Sequence, residues 1–273
     1  MTQKNWKRSI AITGAGSGFG AALARHYAEM GWKVAITDID EARALKTLST
    51  LKRFGDGHFS MMLDVTSAEH WRQLQTTIGD QWGGLEVLVN NAGVAASGNI
   101  EDTSMEDWKW ILDIDLMGVV RGCHQFAGMM KRQQSGHIVN ISSFAALAGL
   151  PSITAYGVAK AGVVALSEAL RAEMYPHGVG VTVACPAFVK TGLLDSFRSP
   201  HADKHRDTLD KVGTWMETSG VSADQVAEDI AKAVVDNKFL LLTHGQTRWA
   251  WRMKRWLPQR YFKMLVKRGP GKS

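Results

Sequence analysis

Tyr156 and Lys160 stand four residues apart in the segment running from Ala155 to Lys160, a spacing that puts both side chains on one face of a helix. An ammonium beside a phenol favours phenolate, which predicts a tyrosine pKa below the ordinary value of about 10. A tyrosine tuned that way can exchange a proton with an alcohol or carbonyl oxygen. Ser143 lies thirteen residues earlier, at the end of the β-rich run that starts at Gly136, and its hydroxyl could bond the same oxygen. A bare Tyr-x-x-x-Lys is most often an ordinary helix pair, so its chemistry depends on what accompanies it.

What accompanies it is a glycine-rich turn, Thr13-Gly14-Ala15-Gly16-Ser17-Gly18-Phe19-Gly20, between the first strand-like run and the first helical one. Glycines there allow positive φ and let backbone approach a pyrophosphate at a helix N-terminus. From Gly16 the turn also fits G-x-G-x-x-A, a variant of the dinucleotide fingerprint. Asp38 follows about 20 residues beyond, where a carboxylate can accept hydrogen bonds from the adenosine ribose hydroxyls. It would repel the extra phosphate of NADP by about 4 kcal/mol per unit charge at roughly 4 Å and an effective dielectric near 20. With no Arg or Lys at Ser17 or Ile39 to offset it, NAD is expected over NADP.

The elements that must position these residues alternate along the chain. Strand-like runs at 8–13, 33–37, 58–65, 85–93, 136–143, 179–185 and 239–243 are separated by helical periodicity at 18–30, 40–53, 67–81, 106–133, 155–174 and 223–237. That rhythm predicts parallel βαβ units in one doubly wound α/β sheet, over residues 1–245. Residues 192–221 lack a clean period and read as a substrate loop. The loop contains His201, His205, Phe197 and Trp215, to which no role is assigned; the His201/His205 spacing with Asp203 is a weak metal-ligand pattern. The chain has 273 residues, 45% of them hydrophobic, enough for a sizeable core. The apolar run Ile10-Ala11-Ile12 is too short for a secretory h-region and no run reaches the roughly 18 residues of a membrane span. Cys123 and Cys185 sit in apolar contexts, so buried thiols in a reducing, cytoplasmic compartment are expected.

Taken in order, Thr13-Gly14-x-x-x-Gly18-x-Gly20, Asn90-Asn91-Ala92-Gly93, Ser143 and Tyr156-x-x-x-Lys160 make the sequence resemble the short-chain dehydrogenase/reductase family over about residues 8–243. The resemblance implies a Rossmann-type domain and a dimer or tetramer. It implies that Gly14, Ser17, Gly18, Phe19 and Gly20 line the pyrophosphate, with Asp38 on the adenosine ribose and Asp64 and Val65 beside the adenine. It puts Asn91, Ala92 and Gly93 next to the cofactor, and Val189 and Thr191 against the nicotinamide carboxamide. Tyr156 would be the acid/base, Lys160 would also bind the nicotinamide ribose, and Ser143 would orient the substrate oxygen. Two positions depart from the pattern. Asp115 stands where the family commonly has an asparagine that supports a proton-relay water, and Ala187 stands where glycine is usual. An ionised aspartate accepts hydrogen bonds but cannot donate them, so a retained relay with altered pH dependence is expected.

The net charge of +6 is unevenly spread. Residues 237–273 hold ten Lys and Arg and no Asp or Glu, which leaves the preceding chain at −4. Within 246–273, Arg248, Arg252, Arg255, Lys263 and Lys267 recur at helical spacing, with Trp249, Met253, Trp256, Leu257, Tyr261, Met264 and Leu265 favouring another face. Pro258 is expected to split this stretch or start its second helix. A cationic helix with tryptophans fits the plane of a membrane interface, giving a peripheral placement at the inner membrane face through residues 246–268. The alternatives are packing on the core or on a partner subunit and, least favoured, nucleic-acid binding.

These readings converge on an NAD-dependent oxidoreductase that interconverts a hydrophobic secondary alcohol and its ketone. Two alternatives stay open: an NADPH-dependent reductase of ketones or 3-oxoacyl thioesters, and a non-catalytic nucleotide-sensing or membrane-scaffold protein. The intact Ser143, Tyr156 and Lys160 speak against the last, because scaffolding needs none of them.

Overall fold

The strand segments are apolar without alternation, and Ile10-Ala11-Ile12, Val34-Ala35-Ile36 and Val87-Leu88-Val89 are fully buried. Strands of that kind need cover on both faces, which parallel crossovers through helices supply. The computed structural model, which describes residues 8–187, 189, 198 and 220–268, has this architecture. Seven strands form one parallel sheet: β1 (Ser9–Thr13), β2 (Lys33–Asp38), β3 (Phe59–Met62), β4 (Val87–Asn90), β5 (Gly136–Ile141), β6 (Val179–Ala184) and β7 (Leu240–Leu241). Their spatial order is β3-β2-β1-β4-β5-β6-β7. The order reverses between β1 and β4, and the chain therefore opens a crevice beyond the carboxyl ends of those two strands.

One face is covered by α1 (Gly18–Glu29), α2 (Glu41–Leu51) and α8 (Ala223–Val235), whose apolar sides meet Ile10, Ile12, Val34 and Ile36. The other is covered by α3 (Ala68–Trp82), α5 (Gly118–Gln133) and α7 (Thr154–Met174), packed around Leu88, Ile138 and Val181. Several helices start on polar caps that the sequence supplies. Asp40 accepts from the Arg43 backbone N–H at 3.1 Å, Ser104 from Asp107 at 3.0 Å and Ser222 from Gln225 at 3.1 Å. Each satisfies a donor that a helix end otherwise leaves unpaired.

Three features depart from the expected pattern. The third strand stops at Met62 rather than reaching residue 65, because the Asp64 carboxylate turns back to accept from the Thr66 N–H at 2.9 Å and its hydroxyl at 2.8 Å. The helix expected over 106–133 runs as α4 (Met105–Leu112), a π-helical turn at Asp113–Met117, and then α5. A short helix, α6 (Phe144–Ala148), follows β5 with Ser143 as its N-cap. The C-terminal stretch forms α9 (Gly245–Trp256) and α10 (Pro258–Arg268), broken at Leu257 with the proline opening the second helix as expected. Cys123 and Cys185 are buried free thiols. Most of 192–221 lies outside the described residues, including Phe197, His201, Asp203, His205 and Trp215. Among the described residues no helix is long and apolar enough to cross a membrane.

Candidate active site

The crevice at the ends of β1 and β4 is closed on one side by the glycine-rich turn. Gly14 adopts φ +61°, and a Cβ there would lie 2.9 Å from the Ala92 Cα, so the turn tolerates no side chain at this position. Asn91 braces it. Its side-chain amide donates to the Thr13 carbonyl at 2.8 Å and the Gly14 carbonyl at 3.1 Å, while the N–H groups of Asn91 and Ala92 both donate to Thr13 Oγ1 at 2.9 Å. Ser17 stands extended at the N-cap of α1, and its hydroxyl makes no cap bond. Gly18, Phe19 and Gly20 form the first turn of α1, which contains no acidic residue. Free N–H groups, a spare hydroxyl and the positive end of the helix dipole together suit a pyrophosphate.

Asp38 ends β2 almost completely buried. Its Oδ2 accepts from the Gly16 N–H at 2.9 Å and its Oδ1 from the Asp40 N–H at 3.0 Å, which fixes the carboxylate beside the turn. Arg43 was not anticipated from the sequence. It comes from the first turn of α2 and reaches Gly16 closely enough that a Cβ on the glycine would meet its own Cβ at 2.6 Å. Its guanidinium is engaged by Asp40 at 2.9 Å. The signal available was its place just after an N-cap aspartate, a place that brings a long side chain back over the preceding loop. On the far side, Val65 is buried and its carbonyl accepts from the Trp71 indole N–H at 3.0 Å, tying the Asp64-Val65 corner to α3. Val189 is buried; Thr191 lies outside the described residues.

The structure brings Ser143, Tyr156, Lys160 and Asp115 together. Ser143 Oγ accepts from the Ala145 N–H at 3.1 Å and stands close enough to the Tyr156 phenol to favour its ionised form. Lys160 Nζ lies 5.8 Å from the centre of the Tyr156 ring, donates to the Ile141 carbonyl at 3.4 Å, and stands 3.1 Å from Asp115 Oδ2. The Lys160–Asp115 approach is an ion pair with poor hydrogen-bond geometry, which leaves Oδ2 buried without a hydrogen-bond partner. Oδ1 is satisfied, accepting from the Val94 N–H at 2.8 Å. The π-helical turn presents Asp115 inward, fully buried. Such turns occur in helices mainly where a side chain is re-aimed for function. Gly93 passes against the pair, and a Cβ there would stand 3.1 Å from Lys160 Nζ.

The electrostatics correct one expectation. Burial pushes the Tyr156 phenol above its ordinary range, and the pull of the Lys160 ammonium, aided by Ser143, offsets this only in part; Asp115 adds to the rise. Burial also raises Asp115, against the stabilising effects of Lys160 and the Val94 N–H. For Lys160, burial alone would favour the neutral amine, but the charges of Asp115 and Tyr156 overcome it and the net shift is upward. The lysine is thus held as an ammonium. An apolar wall that sequence reasoning missed adjoins Tyr156, made by Val94, Trp108, Trp110 and Ile111. Arg198 lies across it, its guanidinium 3.9 Å from the Trp110 ring centre and its backbone paired with Ala95 and Ser97.

The profile of a family described as short chain dehydrogenase matches residues 8–202. The chain is 35% identical over 237 residues to a probable oxidoreductase, EphD, of Mycobacterium tuberculosis, covering 84% of this chain but only 40% of that protein. It is 30% identical over 255 residues to a dehydrogenase/reductase of CLA biosynthesis from Lactiplantibacillus plantarum, covering 86% of this chain and 87% of the relative. Among solved structures it is similar to a short-chain dehydrogenase/reductase from Burkholderia phymatum in complex with NAD, with TM-score 0.85, 30% identity, and 97% and 96% of the two chains covered.

Removing one partner of the buried pair leaves an uncompensated charge, at a cost of about 3–5 kcal/mol. Asp115→Ala is therefore expected to lower the unfolding free energy by that amount in urea titration. The double variant Asp115→Leu/Lys160→Met, which removes both charges, is expected to recover most of the loss.

Proposed function

The chain belongs to the short-chain dehydrogenase/reductase family, and on that premise we propose that it is an NAD-dependent oxidoreductase interconverting a hydrophobic secondary alcohol and its ketone. The observation that carries this reading is the convergence of three groups on one point. The Tyr156 phenol has Ser143 beside it and the Lys160 ammonium 5.8 Å from its ring centre, with Asp115 3.1 Å from that ammonium, at the end of the crevice that the glycine turn closes.

The residues around the turn fit a dinucleotide. Ser17 and the first turn of α1 would hold the pyrophosphate, Asp38 the adenosine ribose, and Asp64 and Val65 the adenine edge. Asn91 keeps the turn seated, and Ala92 and Gly93 leave room beside Lys160. When bound, the nicotinamide supplies the acceptor for the hydride of the carbinol carbon, or its donor in the reverse direction. Tyr156 Oη takes the proton of the alcohol hydroxyl, and returns it to the carbonyl oxygen in reduction. Ser143 fixes that oxygen by hydrogen bonding. Lys160 lowers the cost of phenolate and binds the nicotinamide ribose, while Asp115 keeps Lys160 charged. The wall of Val94, Trp108, Trp110 and Ile111 favours an apolar substituent on the substrate.

Asp38 supports NAD because it is buried and pinned by two backbone N–H groups, so it cannot swing away from a 2′-phosphate. One observation favours the NADP reading. Arg43 is beside the turn, and only its pairing with Asp40 diverts it. Asp38→Ala removes the repulsion and leaves Arg43 in reach, so the ratio of kcat/KM for NADP over NAD is expected to rise at least about fivefold, the factor for the ~1 kcal/mol of a unit charge at roughly 4 Å in water. An unchanged ratio would place the determinant elsewhere.

Tyr156→Phe is expected to lower kcat by about 10²–10⁴-fold with NAD binding retained, checked by steady-state oxidation of a panel of hydrophobic secondary alcohols. The sign of the Asp115 effect follows from its charge. Alcohol oxidation needs phenolate at Tyr156, so the rate rises with pH through the tyrosine pKa. The Asp115 carboxylate raises that pKa, and the Tyr156 charge also holds Lys160 protonated, so with the ammonium kept Asp115→Asn is expected to move the acidic limb of the kcat/KM profile to lower pH. A profile identical to the parent enzyme would remove Asp115 from the proton chemistry.

A further inference from the structure

The two C-terminal helices lie against the body by one side and leave the other open. Inward, Thr247 is buried, Trp251 packs on the core around Leu88 and Val181, and Tyr261 donates its hydroxyl to the Ala148 carbonyl at 2.9 Å. Outward, Trp256 is 79% exposed, Phe262 61%, Trp249 55%, Val266 52% and Leu257 45%. Trp249 and Trp256 are two helical turns apart, and Phe262 and Val266 one turn apart, so each helix presents an apolar stripe with Leu257 at the joint. A soluble surface seldom leaves this many large apolar side chains open in one place without a partner.

The charges around the stripes narrow the partner. Arg252, Lys254, Arg255, Arg260, Lys263 and Lys267 are exposed, and none is paired with an acid among the described residues. No Asp or Glu occurs from residue 237 to the C-terminus. A second copy meeting this face about a twofold axis would stack like charges. Nucleic acid would use the aromatic rings and the cations but gains little from Leu257 and Val266. An anionic lipid surface uses everything present: tryptophans at the headgroup level, aliphatic side chains below it, and cations against the phosphates.

We propose that α9 and α10 form an interfacial anchor for an anionic phospholipid bilayer, lying in the plane of the headgroups with Trp249, Trp256, Leu257, Phe262 and Val266 inserted. The anchor is fastened through Tyr261 to the last residue of α6, whose first cap is Ser143, so the bilayer meets the protein on the side of the site. This inference does not depend on the catalytic reading, because membrane contact is measured without turnover.

The full chain is sedimented with vesicles of equimolar phosphatidylglycerol and phosphatidylcholine, and with vesicles of phosphatidylcholine alone. It is expected to bind the anionic vesicles, to be released by high salt, and to bind the neutral ones at least about tenfold more weakly. Lys263→Glu/Lys267→Glu, which reverses two of the cations set against the phosphates, and Trp256→Ser/Phe262→Ser, which removes two of the inserted aromatic side chains, are each expected to weaken anionic binding at least about tenfold. Both pairs are exposed, so unchanged circular dichroism and thermal midpoint serve as the folding control. Three outcomes overturn the proposal: no binding to anionic vesicles, equal binding to both compositions, or retention of a uridine oligonucleotide without vesicle binding. A fall in oligomeric mass in the Trp256→Ser/Phe262→Ser variant also overturns it, by assigning the face to a second copy.

Discussion

The buried ion pair between Asp115 and Lys160 is the contact on which the rest of the site depends. It joins four pieces of chain that share no local sequence: the π-helical turn, the Val94 N–H after β4, the Ile141 carbonyl at the end of β5, and α7. Taking two charges out of water costs several kcal/mol per ion, and their attraction recovers this only where remaining polar atoms are satisfied. Here one carboxylate oxygen is satisfied by backbone and the other is not. The pair is thus better suited to fixing the state of Lys160 than to stabilising the fold. A buried, charged lysine beside a half-buried phenol is an arrangement that hydrophobic packing alone would never select.

The nucleotide end of the crevice is built on the opposite principle. Its specific contacts are hydrogen bonds between one side chain and backbone: the Gly16 and Asp40 N–H groups donate to the Asp38 carboxylate, and the Asn91 amide donates to the Thr13 and Gly14 carbonyls. Such contacts set shape and leave donors at the start of α1 pointing outward. Net charge is contributed by the carboxylates of Asp38 and Asp64, with Arg43 held in reserve by Asp40. Small changes in that pairing would therefore redistribute charge beside the turn without disturbing its backbone.

The order of chemistry-bearing residues was legible in the sequence because each depends on local spacing. Tyr156 and Lys160 share a helix face whatever surrounds them, and the glycines mark a turn that few other residues could form. The sheet was legible for a similar reason, since seven apolar runs alternating with helical periods leave few parallel topologies. What escaped depends on tertiary placement. The π-helical turn arises from one extra residue in a helix that otherwise keeps its period, so no periodicity reveals it. The approach of Arg43 to Gly16 joins positions 27 residues apart through the turn geometry. The direction of the Tyr156 pKa was misjudged because spacing shows the nearby ammonium but not the desolvation that outweighs it.

The short helix α6 links the two ends of this account. Its N-cap is Ser143, whose hydroxyl reaches both the Ala145 N–H and Tyr156; its last carbonyl, on Ala148, receives the Tyr261 hydroxyl from α10. A helix of five residues has little stability of its own, because nucleation costs more than so few hydrogen bonds return. It is held instead by what it touches at either end. The C-terminal helices therefore do more than append a basic surface: by bonding the far end of α6 they help set where Ser143 stands. Anything that displaces α10 would reach Ser143 through these five residues.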